Sequence, residues 1–182
     1  QTGQAINLVG GDITLAPADL SPGTIQPAQL TALGGQINLV SVASAGEVLA
    51  SNFQPASGMT LGSIGLGPGT LIDVSGDAAG TIRIRGGSLV MDNATILADT
   101  GNISGTPVAI DINVSRDMSI SNDEAPPLTA RASGSGDAGE IRIVSANLTV
   151  TSTALDSTLA LIDTHTSGTG QAGKVSITTG NL

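Results

Sequence analysis

Gly80-Thr-Ile-Arg-Ile84 is the phrase that decides the fold, because it returns. It reads Gly139-Glu-Ile-Arg-Ile143 further along and Gly173-Lys-Val-Ser-Ile177 near the end. Looser copies are Ala5-Ile-Asn-Leu8, Gly35-Gln-Ile-Asn-Leu39 and Val108-Ala-Ile-Asp-Ile112. Their first apolar residues are Ile6, Ile37, Ile82, Ile110, Ile141 and Val175, separated by 31, 45, 28, 31 and 34 residues. Apolar alternation with a period of two marks a strand with one inward face. Its recurrence near every thirty residues marks a solenoid.

Aligning on the phrase exposes two further strands. Seven residues after Ile6, Ile82, Ile141 and Val175 stand Ile13, Leu89, Leu148 and Leu182, while Met118 follows Ile110 by eight. These open second strands such as Ile13-Thr-Leu15, Leu89-Val-Met91, Met118-Ser-Ile120 and Leu148-Thr-Val150. The turn between the two strands reads Gly10-Gly11-Asp12, Gly86-Gly87-Ser88, Ser115-Arg116-Asp117, Ser145-Ala146-Asn147 and Thr179-Gly180-Asn181. Its last residue is always Asp, Ser or Asn, types that bond locally to backbone and tolerate left-handed angles. A third strand precedes each return: Ile72-Asp-Val74, Ile96-Leu-Ala98, Leu128-Thr-Ala130 and Ile162-Asp-Thr164. A glycine-rich corner follows it, as in Ser133-Gly-Ser-Gly-Asp-Ala-Gly139 and Ser167-Gly-Thr-Gly-Gln-Ala-Gly173.

Three short strands per coil, all running one way, predict an all-β, right-handed parallel β-helix. Five to six coils would form a rod roughly 25–30 Å long at the inter-strand spacing. Two stretches break the rhythm and read as loop excursions. One is residues 16–34, with Pro17, Pro22 and Pro27, and the other is residues 44–58, through Phe53 and Pro55. Phe53 is expected to plug a core edge under its loop. Residues Ser121 to Pro127 form a short acidic loop.

Composition agrees with thin aliphatic layers. Among 182 residues there is one Phe, no Tyr and no Trp, so Ile, Leu, Val and Ala must fill the core. The 25 glycines predict many tight turns with unusual backbone angles. Six basic and 15 acidic residues give a net charge of −9. Phosphate backbones need basic patches, so no nucleic-acid partner is expected. No run of 18 apolar residues exists to insert into a membrane. Zero Cys excludes disulfides and thiolate metal sites. The chain starts at Gln1 without Met or a signal-peptide pattern, and stops at Leu182 inside an expected second strand. Solenoids normally end in polar caps. The expectation is a single β-helix unit over residues 1–182 that is a segment of a longer rod.

Residues Ile6-Asn-Leu-Val-Gly-Gly-Asp-Ile-Thr-Leu15 and Leu30-Thr-Ala-Leu-Gly-Gly-Gln-Ile-Asn-Leu-Val-Ser-Val42 resemble the end of the secretion domain of filamentous-haemagglutinin-like exoproteins. These are the passengers of two-partner secretion. Ile72-Asp-Val-Ser-Gly76 and Gly134-Ser-Gly-Asp-Ala-Gly139 look like shaft repeats of the same proteins, especially large cyanobacterial members. Residues 1–42 thus resemble secretion-domain sequence and residues 43–182 resemble shaft. The resemblance implies a secreted, cell-surface fibre exported through an outer-membrane partner pore. It also implies adhesion to surface glycans or cell receptors, and end-to-end contact with neighbouring repeats or other copies. The family's N-terminal secretion motifs are absent from these residues.

No catalytic, cofactor-binding or metal residue is assigned, and no cofactor is expected. His165 is the only histidine and reads as a solvent-facing strand residue. Calcium turns need a serial Gly-Gly-x-Gly-x-Asp pattern, whereas Asp77 and Asp137 stand singly in corners. The outward position of the first strand runs Asn7, Asn38, Arg83, Asp111, Arg142, Ser176 up the stack. Arg83, Asp111 and Arg142 are expected to form one exposed charge ladder that keeps the sheet face soluble. The same trio supports an alternative reading, a β-helix that binds or cleaves polysaccharides. The primary expectation is a non-enzymatic structural or adhesive shaft.

Overall fold

A computed structural model describes residues 3–21, 23–123, 126–152 and 161–182, and among these there is no helix. The six copies of the phrase lie side by side in one parallel ladder. Its strands are Ala5–Gly10, Gln36–Ser41, Thr81–Gly86, Val108–Val114, Glu140–Thr151 and Val175–Asn181. Ile6, Ile37, Ile82, Ile110, Ile141 and Val175 are direct partners throughout. A second ladder joins Ile13–Leu15, Ser63–Leu66, Ser88–Asp92, Asp117–Ser121 and the later half of Glu140–Thr151. A third joins Gln29–Thr31, Leu71–Asp73, Thr95–Leu97, Leu128–Thr129 and Ile162–Asp163. Glu140–Thr151 runs unbroken through its corner, so the first two ladders form one ten-stranded sheet. This all-β, mostly parallel arrangement is compatible with a β-helix or solenoid.

Each ladder turns its alternate residues inward. Ile37, Ile82, Ile84, Leu89, Met91, Ile96, Ile110 and Ile112 are fully buried in one continuous core. Each such side chain contributes roughly 1.5–3 kcal/mol through burial. Burial fades towards both ends of the stack. Ile6, Leu8, Ile13 and Leu15 are only partly buried, and Val175 and Ile177 are 40% and 41% exposed. A stack of layers covers every layer on both sides except the outermost.

Two strands escape the pattern in the sequence. Ser63–Leu66 supplies the second-ladder strand that follows Gln36–Ser41, with Ile64 between Ile13 and Leu89. Residues 42–61 separate it from its phrase, so no fixed offset finds it. The Gly62 N–H donates to the Ser41 carbonyl at 3.2 Å and closes the base of that insertion. The excursion is therefore wider than 44–58 and lies within the first-to-second-strand turn. It carries a short antiparallel hairpin, Val48–Leu49 against Gln54–Pro55. Phe53 sits in the hairpin turn at φ +56°, half-buried and outside the core cluster, rather than plugging a core edge. The other excursion is narrower than 16–34. Its hairpin pairs Ala18–Ser21 with Thr24–Gln26, and Gln29–Thr31 already belongs to the third ladder. Pro22, and Glu124 and Ala125 of the acidic loop, lie outside the described residues. The last strand, Val175–Asn181, runs through its corner to Asn181, and Leu182 is exposed.

The late Met118 has a local cause. An extra residue is absorbed in the corner Val114-Ser-Arg-Asp117, where Ser115 N–H donates to Gly86 O and Arg116 N–H to Gly87 O. Register is restored at Met118, which pairs with Leu89 and Leu148.

The glycine-rich corners correct an expectation. Among described glycines only Gly3, Gly23, Gly34, Gly58 and Gly69 have positive φ. Gly86-Gly87 and the corner at 133–139 do not require left-handed angles. They require closeness: a Cβ on Gly80 would overlap the carbonyl oxygen of Gly35, and one on Gly173 that of Gly139. The Asp/Ser/Asn position differs from expectation too. These residues bond to their counterparts on the next coil rather than locally. Asp12 Oδ1 accepts from Ser63 N–H at 2.7 Å, and Ser88 Oγ meets Ser63 Oγ at 3.1 Å. Asn147 Nδ2 donates to Asp117 Oδ1, and Asn181 Nδ2 to Asn147 Oδ1, both at 2.6 Å.

Gly80→Ala should therefore destabilise by about 1–3 kcal/mol through overpacking. Gly65→Ala should be nearly neutral, because its nearest neighbour would be Thr14 Oγ1 at 4.0 Å. Urea denaturation of the two variants checks this, and equal midpoints would contradict the stacked-corner account. Ile110→Asp should abolish cooperative unfolding, since a buried unpaired carboxylate costs several kcal/mol.

Candidate functional site: the outer face of the first ladder

The outward row of the first ladder has the register expected from sequence. Asn7, Asn38, Arg83, Asp111, Arg142 and Ser176 are successive partners. The pairing of their charges is different. Asp111 Oδ2 is held by Arg85 Nη2, not by Arg83 or Arg142. Arg85 Nη1 also donates to the carbonyls of Asp111 at 2.8 Å and Ile84 at 3.0 Å. Both charged side chains are largely covered, at 8% and 18% exposure. The physical reason is reach. The long Arg85 stem crosses diagonally to the neighbouring strand and reaches the Asp111 carboxylate there.

The remaining charges are arranged around Glu140. Arg142 Nη2 binds Glu140 Oε2 at 3.0 Å, and Lys174 Nζ lies 3.7 Å from Oε1. Arg83 makes no ion pair among the described residues; its Nη1 reaches only the neutral Gln36 Oε1 at 3.4 Å and Asn38 Oδ1 at 3.5 Å. Asn38 in turn donates to Asn7 Oδ1 at 2.8 Å. The expected simple ladder Arg83–Asp111–Arg142 is thus replaced by one buried pair, one shared carboxylate and one unpaired cation. Apolar alternation decides which residues face outward but not which way a long side chain leans. Arg85 is the residue of this face that the pattern gave no reason to single out.

The outer face of the third ladder is organised by carboxylates. Asp163 Oδ2 receives Arg131 Nε and Nη2, both at 2.9 Å. Asp163 Oδ1 accepts from the His165 backbone N–H at 2.9 Å and meets His165 Nδ1 at 2.7 Å. His165 is exposed as expected, but it is engaged with Asp163. Burial pushes the Asp163 carboxyl up; the hydrogen bonds from His165 and Arg131, with the Arg131 charge, outweigh this and hold it below its ordinary value. One residue-row away, Asp99 Oδ1 accepts from Thr129 Oγ1 and Arg131 N–H.

Asp77 and Asp137 staple neighbouring coils. Asp77 Oδ1 accepts from Asn102 N–H at 2.8 Å and Nδ2 at 3.1 Å, and Asp137 Oδ1 from Gln171 N–H at 2.8 Å. Among the described residues no group of three or more His, Cys, Asp or Glu could hold a metal ion. A hollow of about 330 Å³ at the corner is lined by Gly3, Gly34, Gly76, Asp77 and Ala78. Its lining offers one carboxylate, already stapled to Asn102, and no nucleophile–base pair.

No family model, curated protein or solved structure matches this chain. The first-ladder face is therefore characterised by its own chemistry: four cations, two carboxylates and amides on a parallel ladder.

Asp111→Ala should leave Arg85 buried without its counter-charge and cost about 3–5 kcal/mol. Arg83→Ala should cost under about 1 kcal/mol, as Arg83 has only long neutral contacts. Thermal denaturation of both variants tests the pairing; equal losses would contradict it. Asp163 gives a pH prediction. Its lowered pKa means that the ionised form stabilises the fold above the ordinary carboxyl value, and that this is lost as pH falls through the lowered value. Wild type should exceed Asp163→Asn in stability near neutrality, with the difference shrinking on acidification below about pH 4. A difference that is constant with pH would contradict the assignment.

Proposed function

We propose that this chain is a right-handed parallel β-helix, three strands per coil, serving as a structural or adhesive shaft segment of a secreted, surface-exposed fibre. The observation that carries the reading is the row of direct partners through six strands of the first ladder, from Ile6 to Val175, which continues past a bulge between Val108 and Ile110. A shaft needs a shape that is repeated and stiff, and a stack bonded by backbone ladders and by side-chain files supplies it.

The resemblance of residues 1–42 and 43–182 to the secretion domain and shaft of filamentous-haemagglutinin-like exoproteins gives the reading its cellular setting. In that setting the partners are an outer-membrane secretion pore, adjoining repeats or copies end to end, and surface glycans or receptors. The role is non-enzymatic. The polar side chains with resolved bonds mostly join one coil to the next, as Asp12, Asp77, Asp99, Asp117 and Asp137 do. The two hairpin excursions, which expose Leu20, Ile25 and Leu49, are the places where a shaft would carry variable contacts.

Negative-stain electron microscopy of native surface material containing this chain tests the reading. Thin straight rods bearing it are the expected result. Compact particles that shorten an acidic polysaccharide, with activity lost in Arg83→Ala, would replace the shaft by the lyase alternative.

A further inference from the structure

Charge on this molecule is segregated. The chain has six basic residues and a net charge of −9. Four of the six, Arg83, Arg85, Arg142 and Lys174, lie on the outer face of the first ladder, with Asp111 and Glu140 as the carboxylates paired to them. That face carries a surplus of two positive charges, while the carboxylates gather on the other ladders and corners. A ladder that served only solubility would alternate its signs and neutralise itself.

We infer that this face binds a linear acidic polysaccharide through its carboxylates. The inference names a ligand class for the shaft reading above and rests on it. The two uncompensated charges are Arg83 and the share of Arg142 and Lys174 that Glu140 leaves unpaired. Arg83 and Arg142 belong to the same outward row with one strand between them, so they stand two strand spacings, about 10 Å, apart. A polymer with repeated carboxylates can span that interval along the stack, and a single small anion cannot. Guanidinium forks match carboxylates in plane and in charge. Asn113 stands on the strand between the two arginines, and Gln36 and Asn7 lie exposed on the far side of Arg83; these amides donate and accept and so suit sugar hydroxyls. Asn113 neighbours Arg85 in register, and Gln36 already touches Arg83.

Nucleic acid fits less well. Single strands are held by aromatic platforms as well as by charge. The chain's one aromatic, Phe53, sits in the 42–61 excursion and outside this face.

The test is affinity electrophoresis of the purified chain through gels containing polygalacturonate, neutral dextran or poly(dT). Retardation by polygalacturonate alone, declining as salt rises, is the expected result. Arg83→Gln and Arg142→Gln should each weaken it about fivefold to tenfold. Arg131→Gln removes the same charge from the third ladder and should leave it unchanged. Circular dichroism of each variant confirms that the fold is kept. No retardation at low salt, equal retardation by dextran, stronger retardation by poly(dT), or equal losses in all three variants would overturn the inference. Rods in the microscope that fail to bind polygalacturonate remove the glycan face and leave the shaft. Compact particles that bind it normally remove the shaft and leave the glycan face.

Discussion

Everything in this molecule answers to the spacing between parallel strands, about 4.8 Å. Once strands pair at that distance, each residue of a ladder sits beside its partner on the neighbouring strand, and the chain is read across the strands. An isoleucine must meet an aliphatic side chain, as Ile82 meets Ile37 and Ile110. A corner residue must meet a backbone, which is why Gly80 over Gly35 and Gly173 over Gly139 leave no room for a Cβ. The glycine content is therefore a consequence of stacking distance more than of turn conformation.

The same spacing turns polar residues into files. Asp117, Asn147 and Asn181 hand a hydrogen bond from coil to coil, and Asn7 and Asn38 do so on the first-ladder face. Such files are most useful where the aliphatic core is thin and has almost no aromatic area to add to it. They also fix register, since a slip of one residue would turn the whole apolar set outward. Ser41 and Gly62 show how tolerant the scheme is of interruption. Residues 42–61 leave and return between them, and the ladders on either side continue undisturbed.

The electrostatics follow a different logic. Lateral position is decided by alternation, but a charged side chain long enough to reach a neighbouring strand can choose between partners. Arg85 takes Asp111 and frees Arg83, while Glu140 is divided between Arg142 and Lys174. The result is a face with surplus positive charge on an acidic protein, and that asymmetry is what gives the first ladder a chemical character distinct from the other two.

By itself the sequence determined the phrase, its partners and the inward rows, because a period of two and a recurrence near thirty residues leave one way to bury Ile and Leu in parallel register. It determined the outward row Asn7 to Ser176 for the same reason. It could not place Gln29–Thr31 or Ser63–Leu66, whose offsets are displaced by insertions that obey no period. Nor could it say why the corners are rich in glycine, or which carboxylate each arginine holds. Those were decided only by tertiary structure, because they depend on distances between atoms on different coils, and a linear pattern records which residues are stacked without recording how far their side chains reach.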